Sequence, residues 1–388
     1  MIIRLPTYSG IIEDYKLSGS HLSPKTPKKP FNRIAFAAAH VVTDPLKDND
    51  PWQGRPAIDW DNTLKIRHYL WDQGLHLAEV MDTAQRGMGL DWETAKELIF
   101  RTIKDAKLHP LKPHVVCGAG TDHYDIQELN SYDKIITAYS EQMEHIEAIG
   151  GQIVIMASRA MTLYKRGPAY YARVYKKLIE QAKEPVILHW LGEMFDPSLR
   201  GYWGSTDFEK AADSVLTIIN SYSNKIDGIK ISILDQEREE KFRARLPNGV
   251  KLYTGDDFNF PALIEGDGKH FSHALLGIFT AIAPAASQAL EALAMDDGKM
   301  FNKILMPTVP LSREIFKSPT QYYKAGISFL AWLNGIQSHF IMPRGFQSSR
   351  QISHYAEVFR LADKARLLID TDLALYRMKI LLGLHGIV

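Results

Sequence analysis

Eight short apolar runs that alternate with longer amphipathic stretches constrain the fold of this 388-residue chain more than any other feature. Most of the runs are rich in valine, isoleucine and leucine, as are parallel strands that are buried on both faces. The runs are residues 34–39, 77–81, 114–118, 152–156, 185–190, 226–233, 250–254 and 274–280. They predict eight strands of one buried parallel sheet.

Helical patterns lie between these runs. The first ends before Gly74, which suits a C-cap, and the second opens with Asp91, which suits a helix start. The predicted helices are residues 61–73, 91–107, 133–149, 170–183, 205–221, 261–266 and 284–294. This alternation predicts a (β/α)8 TIM barrel. The alternative is an open doubly wound sheet, but no G-x-G-x-x-G follows a strand and opens a helix.

The part of the chain after residue 300 contains no further strand pattern, whereas residues 319–337 and 351–382 have helical patterns. We therefore expect three regions. Residues 1–30 form an N-terminal extension of unassigned role, residues 31–300 form the barrel, and residues 301–388 form a C-terminal helical bundle packed on it.

Charge and cysteine content exclude several classes of protein. The chain has 46 Lys and Arg against 45 Asp and Glu, so it lacks the basic excess typical of nucleic-acid binding. It has no uncharged apolar stretch of ~18 residues, the length needed to cross a membrane, and no signal-peptide pattern. The single cysteine, Cys117, permits no internal disulfide and no zinc site built on several thiolates. These features predict a cytoplasmic protein without nucleic-acid or membrane partners.

Lys230 is the strongest anomaly in the sequence because it interrupts the sixth apolar run, between Ile229 and Ile231. A lysine in a buried strand is costly unless it is paired or neutral. Burial lowers the pKa of an amine, and a neutral amine can attack a carbonyl carbon to form a Schiff base. The alternative is a structural ion pair, for example with Asp82 or Asp256.

Other polar residues follow the strands at their C-terminal ends, where active sites of such barrels form. His189 ends the fifth strand and suits a general acid or base, and Glu193 follows it. Asp82, Thr83 and Arg86 follow the second strand and are candidates for holding a polar substrate. For His189, the alternative is a hydrogen-bonded histidine in the barrel rim.

Two glycine-containing strand ends add further candidates. After the third strand, Gly118 permits a close approach of the backbone to a ligand, and Asp122 and His123 follow as site groups or a helix N-cap. After the seventh strand, Gly255 and Asp256 are candidates for substrate binding.

Three more residues in or after the strands are candidates for a functional or a structural role. Asp257, next to Asp256, is either a site group or a cap of the next helix. His40, after the first strand, is a weaker site candidate, and Cys117 is expected to be a packing residue.

Several of these motifs resemble the dihydrodipicolinate synthase/N-acetylneuraminate lyase superfamily of Schiff-base barrel lyases, from about residue 33 to about residue 340. The resemblance identifies Lys230 as the Schiff-base lysine, because GIK resembles the segment that carries it. The matching segments are GIK at 228–230, PVILHW at 185–190, TGDD at 254–257, Ala-Pro at 283–284 and MGLDWETAKELI at 88–99.

The chain departs from this family at positions that hold the substrate. His189 stands where the family has a catalytic tyrosine, and the family's G-T-T-G-E is replaced by residues 82–86, which retain only Thr83. The arginine expected after the tyrosine is absent, since Met194 and Phe195 lie there. The resemblance therefore implies a divergent branch that does not carry out dihydrodipicolinate synthesis itself.

The predicted activity is that of a class I lyase, aldolase or dehydratase acting on a small keto acid or keto sugar. Lys230 would form the covalent intermediate without a further cofactor, and His189 would transfer the proton. Asp82, Thr83 and Arg86 would orient the substrate, with Arg86 binding an anionic group. The resemblance also implies a homodimer or homotetramer.

Two alternatives belong to other functional classes. One is a sugar isomerase or epimerase that uses Mg²⁺ or Mn²⁺, with Lys230 as a polarising charge. Its metal ligands would be Glu79, Asp82, His189, Glu193 and Asp256. The other is a binding protein without catalytic activity. The loop at residues 338–350 contains His339 and Arg344, which we expect to be surface or packing residues.

Overall fold

A computed structural model describes residues 1–163 and 166–387 of the chain, and its centre is a closed barrel of eight parallel strands. Two further strands, β1 and β2, form an antiparallel hairpin outside the barrel. The strands are β1 (Ile2–Pro6), β2 (Ile12–Lys16), β3 (Ala35–Ala38), β4 (His76–Glu79), β5 (Val115–Ala119), β6 (Gln152–Ile155), β7 (Val186–Leu191), β8 (Ile226–Ser232), β9 (Lys251–Thr254) and β10 (His273–Leu276). In the barrel each strand from β3 to β10 pairs with its neighbour in sequence, and β10 closes onto β3.

Helices connect the barrel strands and continue beyond the last one. They are α1 (Trp60–Trp71), α2 (Trp92–Leu108), α3 (Tyr132–Ala148), α4 (Arg159–Leu163), α5 (Pro168–Gln181), α6 (Phe208–Ser221), α7 (Gln236–Arg243), α8 (Phe260–Glu265), α9 (Ile278–Ala281), α10 (Ala283–Ala294), α11 (Gly298–Leu305), α12 (Val309–Ile315), α13 (Tyr323–Leu333), α14 (Ile352–Lys364) and α15 (Thr371–Leu384). No helix among the described residues combines the length and apolarity that a bilayer crossing requires.

Side-chain caps define where several helices begin. Asp59, Asp91, Ser131 and Asp207 each accept a hydrogen bond from a backbone N–H in the first turn of the helix that follows. Such caps satisfy N–H groups that have no partner within the helix. They explain why α1, α2, α3 and α6 start within a few residues of their predicted positions.

The barrel has two apolar layers. Side chains that point inward form a compact core, and those that point outward pack against the helices. The inward core contains Phe36, Ala38, Ala78, Met81, Val116, Val154, Ile187, Tyr253 and Leu275. Because side chains alternate along a strand, the residues two positions beyond Ile187 and Gly228 also face the barrel axis. This places His189 and Lys230 inside the barrel, towards the C-terminal ends of β7 and β8.

The C-terminal helices pack against the barrel mouth and against the N-terminal hairpin. Every residue of α13 is buried. The guanidinium of Arg360 on α14 donates to the carbonyl oxygens of Leu5 and Pro6 at 3.0 and 3.1 Å. Tyr15 on β2 donates to Asp363 at 2.8 Å. The hairpin is thereby fixed to α14.

The predicted (β/α)8 barrel with C-terminal helices is confirmed, but some predicted elements differ. The apolar run at 274–280 is not one strand, because β10 ends at Leu276 and α9 begins at Ile278. The helix predicted over 351–382 is divided into α14 and α15, where Arg366 has φ +62° and cannot continue a helix. The hairpin and α4, α7, α11 and α12 were not predicted.

Candidate active site at the barrel mouth

A cavity of about 350 Å³, here called the mouth cavity, lies at the C-terminal ends of the barrel strands. Its lining includes Asp82 after β4, Gly120 after β5, Ser158 after β6, and His189 and Leu191 on β7. These residues come from four different strands, and the barrel brings them to one end. This is the position at which (β/α)8 enzymes carry out their chemistry.

Lys230 lies next to His189, just outside the lining of the mouth cavity. The two residues are register partners on β8 and β7. Lys230 is 9% exposed, and within the described residues its amine makes no hydrogen bond and has no carboxylate oxygen within 4.0 Å. Its Nζ keeps at most a small solvent-accessible surface, since the residue as a whole is buried. The structural ion pair with Asp82 or Asp256 is therefore not formed.

Gly255 provides the space that Lys230 occupies. A Cβ atom at this position would lie 2.8 Å from Cε of Lys230 and would also collide with Ser232. Gly255 thus serves the packing of the lysine, which corrects its predicted role as a ligand-binding glycine.

Burial controls the charge of Lys230. Burial lowers the pKa of its amine, while the nearby carboxylates of Asp82 and Asp257 raise it. Burial also raises the pKa of Asp257, whose Oδ1 accepts a hydrogen bond from the backbone N–H of Ile278 at 3.0 Å. The result is an amine that loses its proton more easily than usual beside a carboxyl group that keeps its proton more strongly.

His189 is a neutral imidazole in this site. It is 2% exposed, and its Nε2 lies 3.4 Å from the hydroxyl oxygen of Ser232. Burial and the charge of Lys230 hold its pKa well below the usual value. It is therefore suited to donating and accepting hydrogen bonds next to Lys230, and it is a weaker base than the sequence analysis assumed.

A tyrosine from the C-terminal bundle completes the site. The hydroxyl of Tyr323, at the start of α13, lies 2.8 Å from the Thr83 hydroxyl. Gly277 permits this approach, because a Cβ there would lie 3.1 Å from the Tyr323 ring and 3.4 Å from Oγ1 of Thr83. Asp82 and Asp257 both raise the pKa of Tyr323, in addition to the effect of burial. Tyr323 was not predicted as a site residue, because no functional residue was expected in the C-terminal bundle.

Arg86 cannot bind an anionic substrate as predicted, because its five N–H donors are all used. It forms a bidentate ion pair with Asp122, with distances of 2.9 and 2.8 Å, and it donates to the carbonyl oxygens of Val80 and Gly118 and to Gln142. Burial opposes ionisation of Asp122, yet the charge and hydrogen bonds of Arg86 lower its pKa to about 2. Asp122 is thus a partner of Arg86 and does not cap a helix, since Ser131 caps α3.

Arg86→Lys is expected to lower the free energy of unfolding by about 2 kcal/mol, because an ammonium cannot reproduce the bidentate pair. Because the pKa of Asp122 is lower in the folded protein than in the unfolded chain, its ionised carboxylate stabilises the fold fully above pH 3.8. This contribution is lost as the pH falls to about 2. The variant should therefore show a smaller loss of stability over that range. Urea unfolding at several pH values measures both effects, and equal stability of the two proteins at neutral pH would contradict them.

Two more predicted substrate-binding residues have structural roles. Gly118 is enclosed, since a Cβ would lie 2.7 Å from Sδ of Met156, and its carbonyl accepts from Arg86. Asp256 accepts from the backbone N–H groups of Phe258 and Asn259 at 2.8 and 2.9 Å, and so fixes the turn before α8. The correction is that Asp257, and not Asp256, lies beside Lys230.

The ligands proposed for a divalent metal are not brought together. Glu79 is fully buried in an ion pair with Arg67, and Glu193 lies 3.6 Å from Arg200 in a solvent-exposed pair. Among the residues that the structure describes, no three His, Cys, Asp or Glu side chains form a group able to hold a metal ion.

The remaining candidates lie away from Lys230. His40 is buried and bonded to Gln337, and His123 pairs with Glu141 at 2.8 Å. Cys117 is buried in β5, and burial raises the pKa of its thiol, as expected for a packing residue. His339 accepts from the N–H of Ile341, and Arg344 donates to the carbonyl of Gly54, so both support the loop.

The fold and the site together define a (β/α)8 barrel with a lysine-centred polar site at the C-terminal ends of its strands. Similar solved structures include a putative dihydrodipicolinate synthetase from Pseudomonas aeruginosa, with 17% identity and a TM-score of 0.58 over 84% of this chain and 99% of that chain. Dihydrodipicolinate synthase from Aquifex aeolicus has 14% identity and a TM-score of 0.63 over 87% and 100%.

A third similar structure is the chloride-inhibited dihydrodipicolinate synthase from Acinetobacter baumannii complexed with pyruvate. It has 17% identity and a TM-score of 0.62 over 86% of this chain and 99% of that chain. These similarities confirm, at the level of the fold, the resemblance found in the sequence. A family model described as "Protein of unknown function (DUF993)" matches residues 3–387, and the chain belongs to that family. The comparison with curated proteins finds no match.

Proposed function

We propose that this protein is a Schiff-base lyase, an aldolase or dehydratase that acts on a small keto acid or keto sugar. The observation that carries the proposal is the amine of Lys230, which is buried in a strand and has no hydrogen bond or paired carboxylate among the described residues. Burial that lowers its pKa makes the neutral, nucleophilic form accessible.

In the proposed first step, the Lys230 nitrogen forms a bond to the carbonyl carbon of the substrate. The carbonyl oxygen takes up protons and leaves as water, and a protonated imine between lysine and substrate remains. Asp257 is placed to supply a proton to the departing oxygen, because burial keeps its carboxyl protonated at higher pH than usual. His189 and Ser232 are the nearest hydrogen-bonding groups on the neighbouring strand and on β8.

The imine then accepts an electron pair from the substrate. The pair comes from a carbon–carbon bond in a retro-aldol cleavage, or from a carbon–hydrogen bond before a β-hydroxyl leaves in a dehydration. Thr83 and Tyr323 form a hydroxyl pair at 2.8 Å that can carry the proton of either reaction. In this proposal the pair takes over the role that the sequence analysis gave to His189, and Asp82 binds a substrate hydroxyl.

Sodium borohydride trapping tests this proposal. The pure protein is incubated with small keto acids and keto sugars, reduced and weighed, and the adduct is located by peptide mapping. We expect an increase equal to the mass of the carbonyl compound less one oxygen atom, on Lys230. The trapping rate should rise with pH and level off below 10.5, the ordinary pKa of lysine, because burial lowers that of Lys230.

The following results would contradict the proposed function. Absence of an adduct with every carbonyl compound, or an adduct on exposed lysines with no excess on Lys230, would overturn the Schiff-base mechanism. A trapping rate that still rises in proportion to hydroxide above pH 10 would show that Lys230 has an ordinary amine. The predicted homodimer or homotetramer remains a prediction.

A further inference from the structure

A second cavity, here called the helix-side cavity, adjoins the mouth cavity and has a volume of about 400 Å³. The two cavities share part of their lining, so they lie side by side. The shared residues are Asp82, Arg86, Arg159, Leu191 and Asp196. The helix-side cavity is also lined by Gln321, Tyr323 and Lys324 from the C-terminal bundle.

Lys324 is a second buried lysine with an incomplete set of partners. It is 2% exposed, and its Nζ donates to the carbonyl oxygen of Gln321 at 3.0 Å and weakly to Sδ of Met88 at 3.5 Å. An ammonium has three N–H donors, so one remains for a ligand. Within the described residues no carboxylate oxygen lies within 4.0 Å of this nitrogen.

The other cations that line the two cavities are already neutralised. Arg86 is held by Asp122, and Nε of Arg159 lies 2.5 Å from Asp196. Among the described lysine and arginine residues that line these two cavities, Lys324 is therefore the one that has no carboxylate bonded to it.

The charges around Lys324 keep it cationic near neutral pH. Burial lowers its pKa to about 8, Asp82 and Asp196 raise it, and Arg159 lowers it. The ring of Tyr323 lies 4.8 Å from the ammonium and also favours a positive charge. Since 8 is above 7, the charged form predominates at pH 7.

Asp82 connects the two lysines. Its charge raises the pKa of Lys230 and that of Lys324, so it lies within electrostatic reach of both. Asp82 and Lys324 both line the helix-side cavity, and Asp82 also lines the mouth cavity beside His189. Their opposite charges suit a hydroxyl and an anionic group respectively.

We infer that Lys324 binds the anionic group, a carboxylate or a phosphate, of the carbonyl substrate that is attacked by Lys230. The inference rests on the proposed function and assigns to Lys324 the role that the occupied Arg86 cannot have. The anionic group would lie in the helix-side cavity, and the reacting carbon would lie at the mouth cavity. Lys324 thereby selects acidic over neutral carbonyl compounds.

Borohydride trapping with matched pairs of compounds tests the inference. Pyruvate is compared with pyruvamide, which replaces the carboxylate by a neutral amide, and dihydroxyacetone phosphate is compared with dihydroxyacetone. We expect the wild-type protein to trap at least one anionic compound roughly 10- to 100-fold more efficiently than its neutral partner, the range of a hydrogen bond to a charged group. The pair that shows the preference distinguishes a carboxylate from a phosphate.

Lys324→Met is expected to lose this preference, so that it traps each anionic compound no more efficiently than the neutral partner. Lys379→Met is the matched control, because Lys379 is an exposed lysine of the same bundle. In the wild type the preference should also fall as the pH rises above about 8, where Lys324 loses its charge. This second readout needs no variant and stands if Lys324→Met fails to fold.

The possible outcomes of these experiments distinguish a failure of the inference from a failure of the proposed function. Equal trapping of anionic and neutral compounds by the wild type, or a preference that Lys324→Met retains, would overturn the inference and leave Schiff-base chemistry intact. No adduct with any of the four compounds or with the wider set would overturn the proposed function, and the inference with it.

Discussion

Lys230→Met is expected to abolish the borohydride-trapped adduct and to reduce the proposed lyase activity by ~10³-fold or more, as removal of a covalent nucleophile does. Methionine reproduces the lysine side chain as far as Cε and fits the space left by Gly255, so the barrel should fold. The desolvated amine of Lys230 opposes folding, since its pKa is lower in the folded state than in the unfolded chain. We therefore expect the variant to have a higher free energy of unfolding than the wild type at pH 7. This difference should become smaller as the pH approaches 10.5.

A matched control is Lys241→Met. Lys241 is an exposed lysine on α7 that pairs with Glu237 at 2.6 Å, so its replacement should leave trapping unchanged. Intact-mass measurement gives the adduct, and thermal unfolding at pH 7 and pH 10 gives the stability. An undiminished adduct in Lys230→Met would place the chemistry at another residue.

Glu79→Gln is expected to lower the free energy of unfolding by about 3–5 kcal/mol, the cost of leaving one charge of a buried pair without its partner. Arg67 and Glu79 both have side chains that are 0% exposed, and they form two hydrogen bonds at 3.0 and 2.9 Å. Thr102 donates to the same carboxylate at 2.7 Å, and Arg67 also donates to the carbonyl oxygen of His40. The pair therefore joins α1 and α2 to the ends of β3 and β4.

Two further variants make this prediction specific to burial. Glu97→Gln, which removes the partner of Arg101 in a half-exposed pair at 2.6 Å, should change the stability by less than about 1 kcal/mol. The double variant Arg67→Met/Glu79→Leu should recover much of the loss, because it leaves no charge behind. Urea unfolding measures all three. A Glu79→Gln protein as stable as Glu97→Gln would mean that water reaches the pair.

The barrel was predictable because its strands are apolar on both faces and alternate with capped helices. The prediction of secondary structure was wrong where the pattern of apolar residues does not distinguish a strand from a helix or show where a helix ends. The run at 274–280 continues without a polar residue through the end of β10 into α9, and apolarity alone cannot distinguish a strand from a buried helix. The break between α14 and α15 depends on the positive φ of Arg366, a residue that gives no signal for it. The N-terminal hairpin was missed because its second strand, IEDYK, has no alternation of apolar and polar residues that would mark it as a strand.

The candidate site was predictable where a charge interrupts a strand. Lys230 was found in this way, and the same argument applies to Lys324, a single lysine in the otherwise apolar helix YKAGISFLAWL. It was missed because the bundle was assumed to have no functional residues. The choice between Asp256 and Asp257 could not be made from sequence, since it depends on which carboxylate the turn before α8 directs towards Lys230. Arg86 was misjudged because its partners lie 36 and 56 positions further along the chain.

The hydrogen bond between Thr83 and Tyr323 joins residues that are 240 positions apart, and this separation has a consequence for protein synthesis. A ribosome adds roughly 5–20 residues per second, so a few seconds pass between the emergence of β10 and that of α13. During that interval the nascent chain has all eight barrel strands, but neither Tyr323 nor Lys324. Shortened translation products that end before α13 would carry Lys230 in the barrel without Tyr323 and Lys324 beside it.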